Sequence, residues 1–221
     1  MTTIVDILTW CAMSVSVASV VVPVSAACDV LKHGRAAGNL LLYGLLFAQA
    51  FLWVIYGYIA NRTPILLINI LYTIVTSIYL LAYWWFTQDK KIRLCLGSAT
   101  LGLVLFIACC LVLPDRDIQV FILGSCATVL SSLLSFAPLK EVAEVIRKET
   151  VSPEYPIGLA LTGLLGSCMW GICAVFMRSL PYLISNIISM ALCGLQVAVY
   201  VIYADRAGRT SKGSYFLAQG N

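Results

Sequence analysis

The chain has 221 residues, of which 61% are hydrophobic and 11% charged, with a formal net charge of +4 and a mean hydropathy of +0.95. This composition excludes the soluble globular and disordered classes and places the chain in a bilayer. The charge calls for no nucleic-acid partner, because basic loops on one face of a membrane account for it.

A helix needs about 20 apolar residues to cross roughly 30 Å of hydrocarbon. Uncharged stretches of that length run near 7–27, 39–61, 64–87, 94–114, 118–139, 156–177 and 181–203, which predicts seven spans. The first has no basic leader and outruns the apolar core of a signal peptide, so it reads as a retained helix. Spans two and three are parted by Asn61-Arg62-Thr63-Pro64. Asn-Arg-Thr matches a glycosylation acceptor in form, but squeezed between two helices it reads as turn chemistry. Span four holds no polar residue stronger than Ser98 or Thr100, which suits a linker. Beyond span seven the tail carries Arg206, Arg209 and Lys212 ahead of Tyr215-Phe216-Leu217.

Eleven of the fourteen basic residues fall on alternate loops and the tail: Lys32, Arg35, Lys90, Lys91, Arg93, Lys140, Arg147, Lys148, Arg206, Arg209 and Lys212. The other side has Arg62, Arg116 and Arg178. Lys and Arg accumulate in cytoplasmic loops, so the N-terminus is expected outside or in a lumen and the C-terminus in the cytoplasm. The nine cysteines lie in or beside the spans and read as small apolar fillers, and the single His33 leaves no histidine-based metal cluster. No metal or cofactor is expected.

The third turn of this pattern is an internal repeat. Shifted by 117 residues, Trp53 falls on Trp170, Pro64 on Pro181, Leu66 on Leu183, Asn69 on Asn186 and Tyr83 on Tyr200. Earlier in each half the shift is 115, with Pro23 on Pro138 and Val30-Leu31-Lys32 on Val145-Ile146-Arg147. A period this long is no solenoid unit; it signals two copies of a three-helix bundle. Spans 1 and 5 both start outside, so the copies are parallel and span 4 restores the direction between them. The expected fold is an all-α membrane protein of two parallel three-helix bundles joined by a linker helix, 3+1+3. The divisions are 1–90 for the first repeat, 91–115 for the linker, 116–204 for the second repeat and 205–221 for a cytoplasmic tail.

Trp53 and Asn69 flank the turn at Arg62 by nine and seven residues. At about 1.5 Å per residue both lie roughly 10–14 Å below the outer surface, near the midplane, and the second copy gives Trp170 and Asn186 the same depth. Two Trp and two Asn are therefore expected to converge between the repeats, where parallel-repeat transporters place substrate. The chemistry fits a neutral polyol: each amide offers donors and an acceptor to adjacent hydroxyls, and an indole stacks on a sugar's C–H face with its N–H available to an oxygen. An isolated Asn reads first as interhelical glue; the Trp-to-Asn spacing, found twice at matched depth, reverses that and favours the site. No Asp, Glu, Lys, Arg or His lies deep in a span, and ion coupling recruits such groups, so facilitated diffusion is expected. Pro23, Pro138 and Pro156 are placed in the cytoplasmic thirds of their helices, where proline supplies a hinge for an inner gate.

These residues resemble the SWEET family of sugar facilitators over nearly the whole chain. The resemblance is carried by LWVIYG with LLIN, and by FAPLKEVAEVIRKETV followed by Pro156, Trp170 and Asn186. It implies an uncoupled, bidirectional uniporter with Asn69 and Asn186 as sugar-binding amides, Trp53 and Trp170 as pocket walls, and Pro23, Pro138 and Pro156 in an intracellular proline set. The second-helix proline of that set is missing, with Gly38, Asn39 and Leu42 in its neighbourhood. Tyr56 keeps the family's outer tyrosine, but the acidic residue expected opposite it is replaced by Ser179-Leu180, so no tyrosine–carboxylate gate is expected and Tyr56 contributes bulk. Trp in both wall positions implies a small cavity, suited to glucose or a similar monosaccharide as in animal-type members. The partners are a small-molecule sugar and the lipid bilayer of a plasma, Golgi or other endomembrane, with homo-oligomerisation left open. A proton-linked lysosomal amino-acid exporter of a related repeat fold should show a Pro-Gln dipeptide and embedded carboxylates; a seven-helix receptor should lack the repeat.

Overall fold

The computed structural model describes residues 2–36, 39–152 and 155–218, with side chains described between residues 6 and 204. Gly38 and the side chains of Arg206, Arg209, Lys212 and Tyr215-Phe216-Leu217 lie outside them. The described residues form helices: α1 (Thr2–Ser19), α2 (Val21–His33), α3 (Leu40–Ile59), α4 (Thr63–Phe86), α5 (Lys90–Leu111), α6 (Arg116–Phe136), α7 (Leu139–Lys148), α8 (Ile157–Phe176) and α9 (Leu180–Ala218). Seven spans result, since α1 with α2 and α6 with α7 each make one broken span. The end bearing the α3–α4 and α8–α9 turns is called upper.

Each break sits beside a proline. A backbone N–H is missing at Pro23 and Pro138, and each ring crowds the carbonyl four residues earlier. The chain breaks at Val20, three residues before Pro23, and at Ala137-Pro138. Pro156 differs from its expected place: it precedes α8 as the capping residue, where no intrahelical hydrogen bond is lost and nothing kinks. The broken spans end alike. Gly34 after α2 and Glu149 after α7 both adopt left-handed backbone, with φ of 57° and 52°, and the 115-residue shift superposes them.

The two upper turns are copies as well. Arg62 N–H donates to the Gly57 carbonyl and Asn61 N–H to that of Tyr58; Ser179 and Arg178 do the same to Ala174 and Val175. Asn61 and Arg178 carry the positive φ, a conformation Asn tolerates better than most residues. Gly57 is required by contact, because a Cβ there would lie 2.8 Å from the Leu66 amide nitrogen. The Asn61 sequon is thus the hinge of a tight helical turn.

Within the first repeat α4 packs against both α1–α2 and α3; within the second α9 packs against both α6–α7 and α8. The repeats meet crosswise, α3 on α6 and α1 on α8, while α5 rests on α3, α4 and α6. The core is divided unevenly between the two ends. One cluster fills the upper half and draws on both repeats, including Ala12, Leu52, Trp53, Tyr56, Ile65, Leu123, Ala127, Trp170 and Cys173. The lower half holds two separate clusters, Ala27, Val30, Tyr43, Tyr79 and Ala82 in the first repeat and Val142, Val145, Tyr155 and Val199 in the second. Tyr155 donates to the Gln196 carbonyl at 3.0 Å, and burial, helped by nearby Glu141, raises its pKa. The repeats are joined above and parted below.

Candidate binding site

A cavity of about 240 Å³ lies between the repeats at the level where the two cores part, and Trp53, Trp170, Asn69 and Asn186 all line it. Helix α3 brings Trp53, α4 brings Asn69, α8 brings Trp170 and α9 brings Asn186. The amides are set identically. Asn69 Nδ2 donates to the Ile65 carbonyl at 2.8 Å, and Asn186 Nδ2 to the Tyr182 carbonyl at 2.7 Å. Each bond runs back one helical turn and fixes the amide plane. Among the described residues neither amide oxygen has a hydrogen-bond partner, so each Asn keeps an acceptor and a second N–H for whatever enters.

The tryptophans differ from the sequence expectation in one respect. Trp53 Nε1 donates to Ser131 Oγ at 3.0 Å and Trp170 Nε1 to Ser16 Oγ at 2.8 Å. The indole N–H groups are therefore spent on protein, and the rings offer their faces alone. The two bonds cross between repeats: Trp53 on α3 is held by α6, and Trp170 on α8 by α1. Ser16 and Ser131 use their own protons on the Ala12 and Ala127 carbonyls, at 3.0 and 2.8 Å. Their oxygens are left as acceptors, the polarity that an indole donor needs.

Further cavity groups are not matched in residue type between the repeats. Gln49 stands one turn below Trp53 on α3, lines the cavity and makes no hydrogen bond to another described residue; its equivalent is Gly166. Tyr72 reaches across to α1 and donates to the Ser16 carbonyl at 3.1 Å. Ser189 shares a 2.7 Å hydroxyl contact with Ser135. Leu46, Ala50 and Ile68 complete an apolar part of the wall. No lining residue carries a charge.

Above the cavity the structure is shut. Tyr56 Oη lies 2.6 Å from Ser179 Oγ, a buried hydroxyl pair joining the repeats. The tyrosine thus gains a neutral partner at the position where a carboxylate was missing, and contributes more than bulk. Gly124 admits this packing, since a Cβ there would meet Tyr56 Cε2 at 2.9 Å and Pro181 Cγ at 3.0 Å. Thr128 donates to the Pro181 carbonyl at 2.8 Å, and Arg116 clamps the Ile59 carbonyl through Nε at 2.8 Å and through Nη2. Pro23, Pro138 and Pro156 stand apart from the cavity walls. A larger depression of about 700 Å³ lies at the lower surface along α7 and the segment before α8, beside the Glu144–Lys148 ion pair; it contains none of the paired Trp and Asn.

The sequence reading found the paired Trp and Asn and passed over the other polar cavity residues, Ser16, Gln49, Tyr72, Ser131, Tyr182, Ser185 and Ser189. Ser16 and Ser131 superpose under the same 115-residue shift that pairs Pro23 with Pro138, so repeat symmetry carried their signal. Gln49 has no partner under that symmetry, which is why a search for matched polar pairs skipped it.

Comparison with known proteins follows the same lines. A family model described as "Sugar efflux transporter for intercellular exchange" matches residues 6–91 and 121–208, leaving out most of α5. The chain is 27% identical to "Sugar transporter SWEET1" of Drosophila pseudoobscura pseudoobscura over 73% of its length and 72% of the relative's. It is 23% identical to "Sugar transporter SWEET1" of Dictyostelium discoideum, covering 88% and 91%, and 25% identical to "Bidirectional sugar transporter N3" of Medicago truncatula, covering 86% and 73%. A solved eukaryotic SWEET transporter superposes with a TM-score of 0.79 at 20% identity, over 91% of this chain and 99% of that one.

Proposed function

The chain belongs to the SWEET family of sugar transporters, and from that premise we propose that it is an uncoupled uniporter for glucose or a similar monosaccharide, working by alternating access between its two repeats. The observation that carries this reading is the uncharged cavity between the repeats, with two Asn amides free to bond and two indole faces fixed in place. At about 240 Å³ it falls below the ~300–1,000 Å³ of pockets that take drug-sized ligands, which suits one sugar ring.

The conformation supports the mechanism. The upper latch of Tyr56 with Ser179 and the shared upper core close one side, while the separate lower cores leave the other side parted. The basic residues favour assigning the lower side to the cytoplasm, so this is an inward-facing state of a carrier in a plasma, Golgi or other endomembrane. Return to the outward state requires the lower clusters to meet while the upper hydroxyl pair separates. Pro23 and Pro138, at the helix breaks, supply the bending points for α2 and α7. Homo-oligomerisation is compatible with the apolar faces that α5 leaves exposed, Leu101, Val104 and Leu105 among them.

The test is counterflow of radiolabelled glucose in liposomes with no ion gradient. Flux in the parent that is lost in Asn69→Ala and in Asn186→Ala, both still folded and inserted, is the expected result. Normal flux in both variants would refute the site.

A further inference from the structure

Tyr182 stands where the first repeat has Ile65, and this departure from symmetry falls at the top of the cavity. The residue lies one turn above Asn186 on α9, and its carbonyl takes the Asn186 amide proton. Its ring sits edge-on between the two tryptophans, with centroids 4.9 Å from Trp53 at 78° and 5.7 Å from Trp170 at 77°. Trp53 meets Tyr56 in turn at 5.1 Å and 90°. Together these rings make a continuous aromatic roof between the cavity and the upper latch.

We propose that Tyr182 is a specificity-determining residue that limits the cavity to a single sugar ring, by filling the space into which the second ring of a disaccharide would extend. This rests on the sugar-carrier reading. The side chain cannot swing aside cheaply. Both neighbours that hold it are themselves pinned, Trp53 by Ser131 and Trp170 by Ser16, and the residue is only 7% exposed. Edge-to-face geometry is the favoured one for such rings, so displacing the tyrosine gives up two such contacts. Below the roof the wall offers shorter groups, Ser185 and Ser189 on the same helix. The upward limit is therefore set by one ring.

Replacement by the residue that the other repeat uses tests the idea with a side chain the fold already carries at the equivalent place. Glucose and sucrose uptake are measured side by side in liposomes for the parent, Tyr182→Ile and Tyr182→Phe. The expected result is a parent that carries glucose and excludes sucrose, a Phe variant that also excludes sucrose, and an Ile variant whose sucrose-to-glucose flux ratio rises about tenfold or more. An Ile variant that carries glucose with no gain for sucrose overturns the proposal, as does a parent that carries both sugars equally. A parent that carries neither sugar overturns the carrier reading itself and the proposal with it. If the Ile variant is inserted but moves neither sugar, quenching of its tryptophan fluorescence decides: quenching by sucrose supports the proposal and quenching by glucose alone overturns it.

Discussion

Trp53 and Trp170 each depend on a hydroxyl from the opposite repeat, so Ser16 and Ser131 act as positioning residues for the cavity walls. Ser131→Ala or Ser16→Ala removes the hydroxyl's two hydrogen bonds, of which the bond to the indole is worth about 1 kcal/mol, and frees an indole to turn. Each variant is expected to lower the melting temperature slightly in detergent and to raise the KM for glucose several-fold, with little change in maximal rate; an unchanged KM in both removes the positioning role. Gly124→Ala is the harsher change. Its Cβ would be forced against Pro181 and the Tyr56 ring, and overpacking of this kind costs about 1–3 kcal/mol, here in the closed upper half alone. A drop in thermal stability and in flux is expected, where Gly97→Ala, at a position open within 4 Å inside α5, leaves flux unchanged and thermal stability no lower. The sequence made Trp53, Trp170, Asn69 and Asn186 legible because each has a partner at a fixed shift. It hid where the indole protons go, since a donor's partner 78 or 154 residues away is a matter of packing and not of spacing.

At the level of helices, the spans and their turns followed from hydropathy and from the Asn61-Arg62-Thr63-Pro64 break, because in lipid the backbone has no partner but itself. The lower ends were harder to read. Helix α7, ten residues from Leu139 to Lys148, begins where the span was expected to end, near 139, since an amphipathic segment at the membrane edge looks like a loop when only uncharged runs are counted. Its end offers a direct test. Glu149 holds the left-handed cap that Gly34 supplies in the first repeat, a conformation costing a side chain about 1–2 kcal/mol. Glu149→Gly is expected to raise the melting temperature by a few degrees; an equal or lower value would show that the cap is unstrained. Ser179 acts at the other end. An Asp in its place would give Tyr56 a charged acceptor, strengthening the latch from about 0.5–1.5 to about 1.5–3 kcal/mol. Ser179→Asp should slow maximal exchange while leaving half-saturation unchanged, read from concentration-dependent counterflow.

Over the whole molecule, an uncharged cavity predicts indifference to protons. No lining group titrates near neutrality, in contrast to carboxylates near 4 and histidine near 6.5, so glucose flux should stay level between about pH 6 and 8 and survive an uncoupler; steep loss in either condition would mean a coupling group exists. The parted lower cores predict a distance change. Spin labels at Leu31 and Ile146, exposed equivalents on α2 and α7, should report a broad separation that shortens as sugar shifts the population toward the outward state. The parallel 3+1+3 plan was legible from the repeat and the direction of each span, whereas the conformational state was not, because hydropathy is identical in both. The crossed indole bonds carry a consequence for descent. Were the two halves separate and identical chains, Trp53 to Ser131 and Trp170 to Ser16 would be a single bond seen from either side of a twofold axis, as any isologous dimer makes. A lone three-helix ancestor could thus have built these walls by pairing with itself. Gln49 and Tyr182 are features that such a pair could not hold on one side only, whereas a single chain with α5 between its halves can.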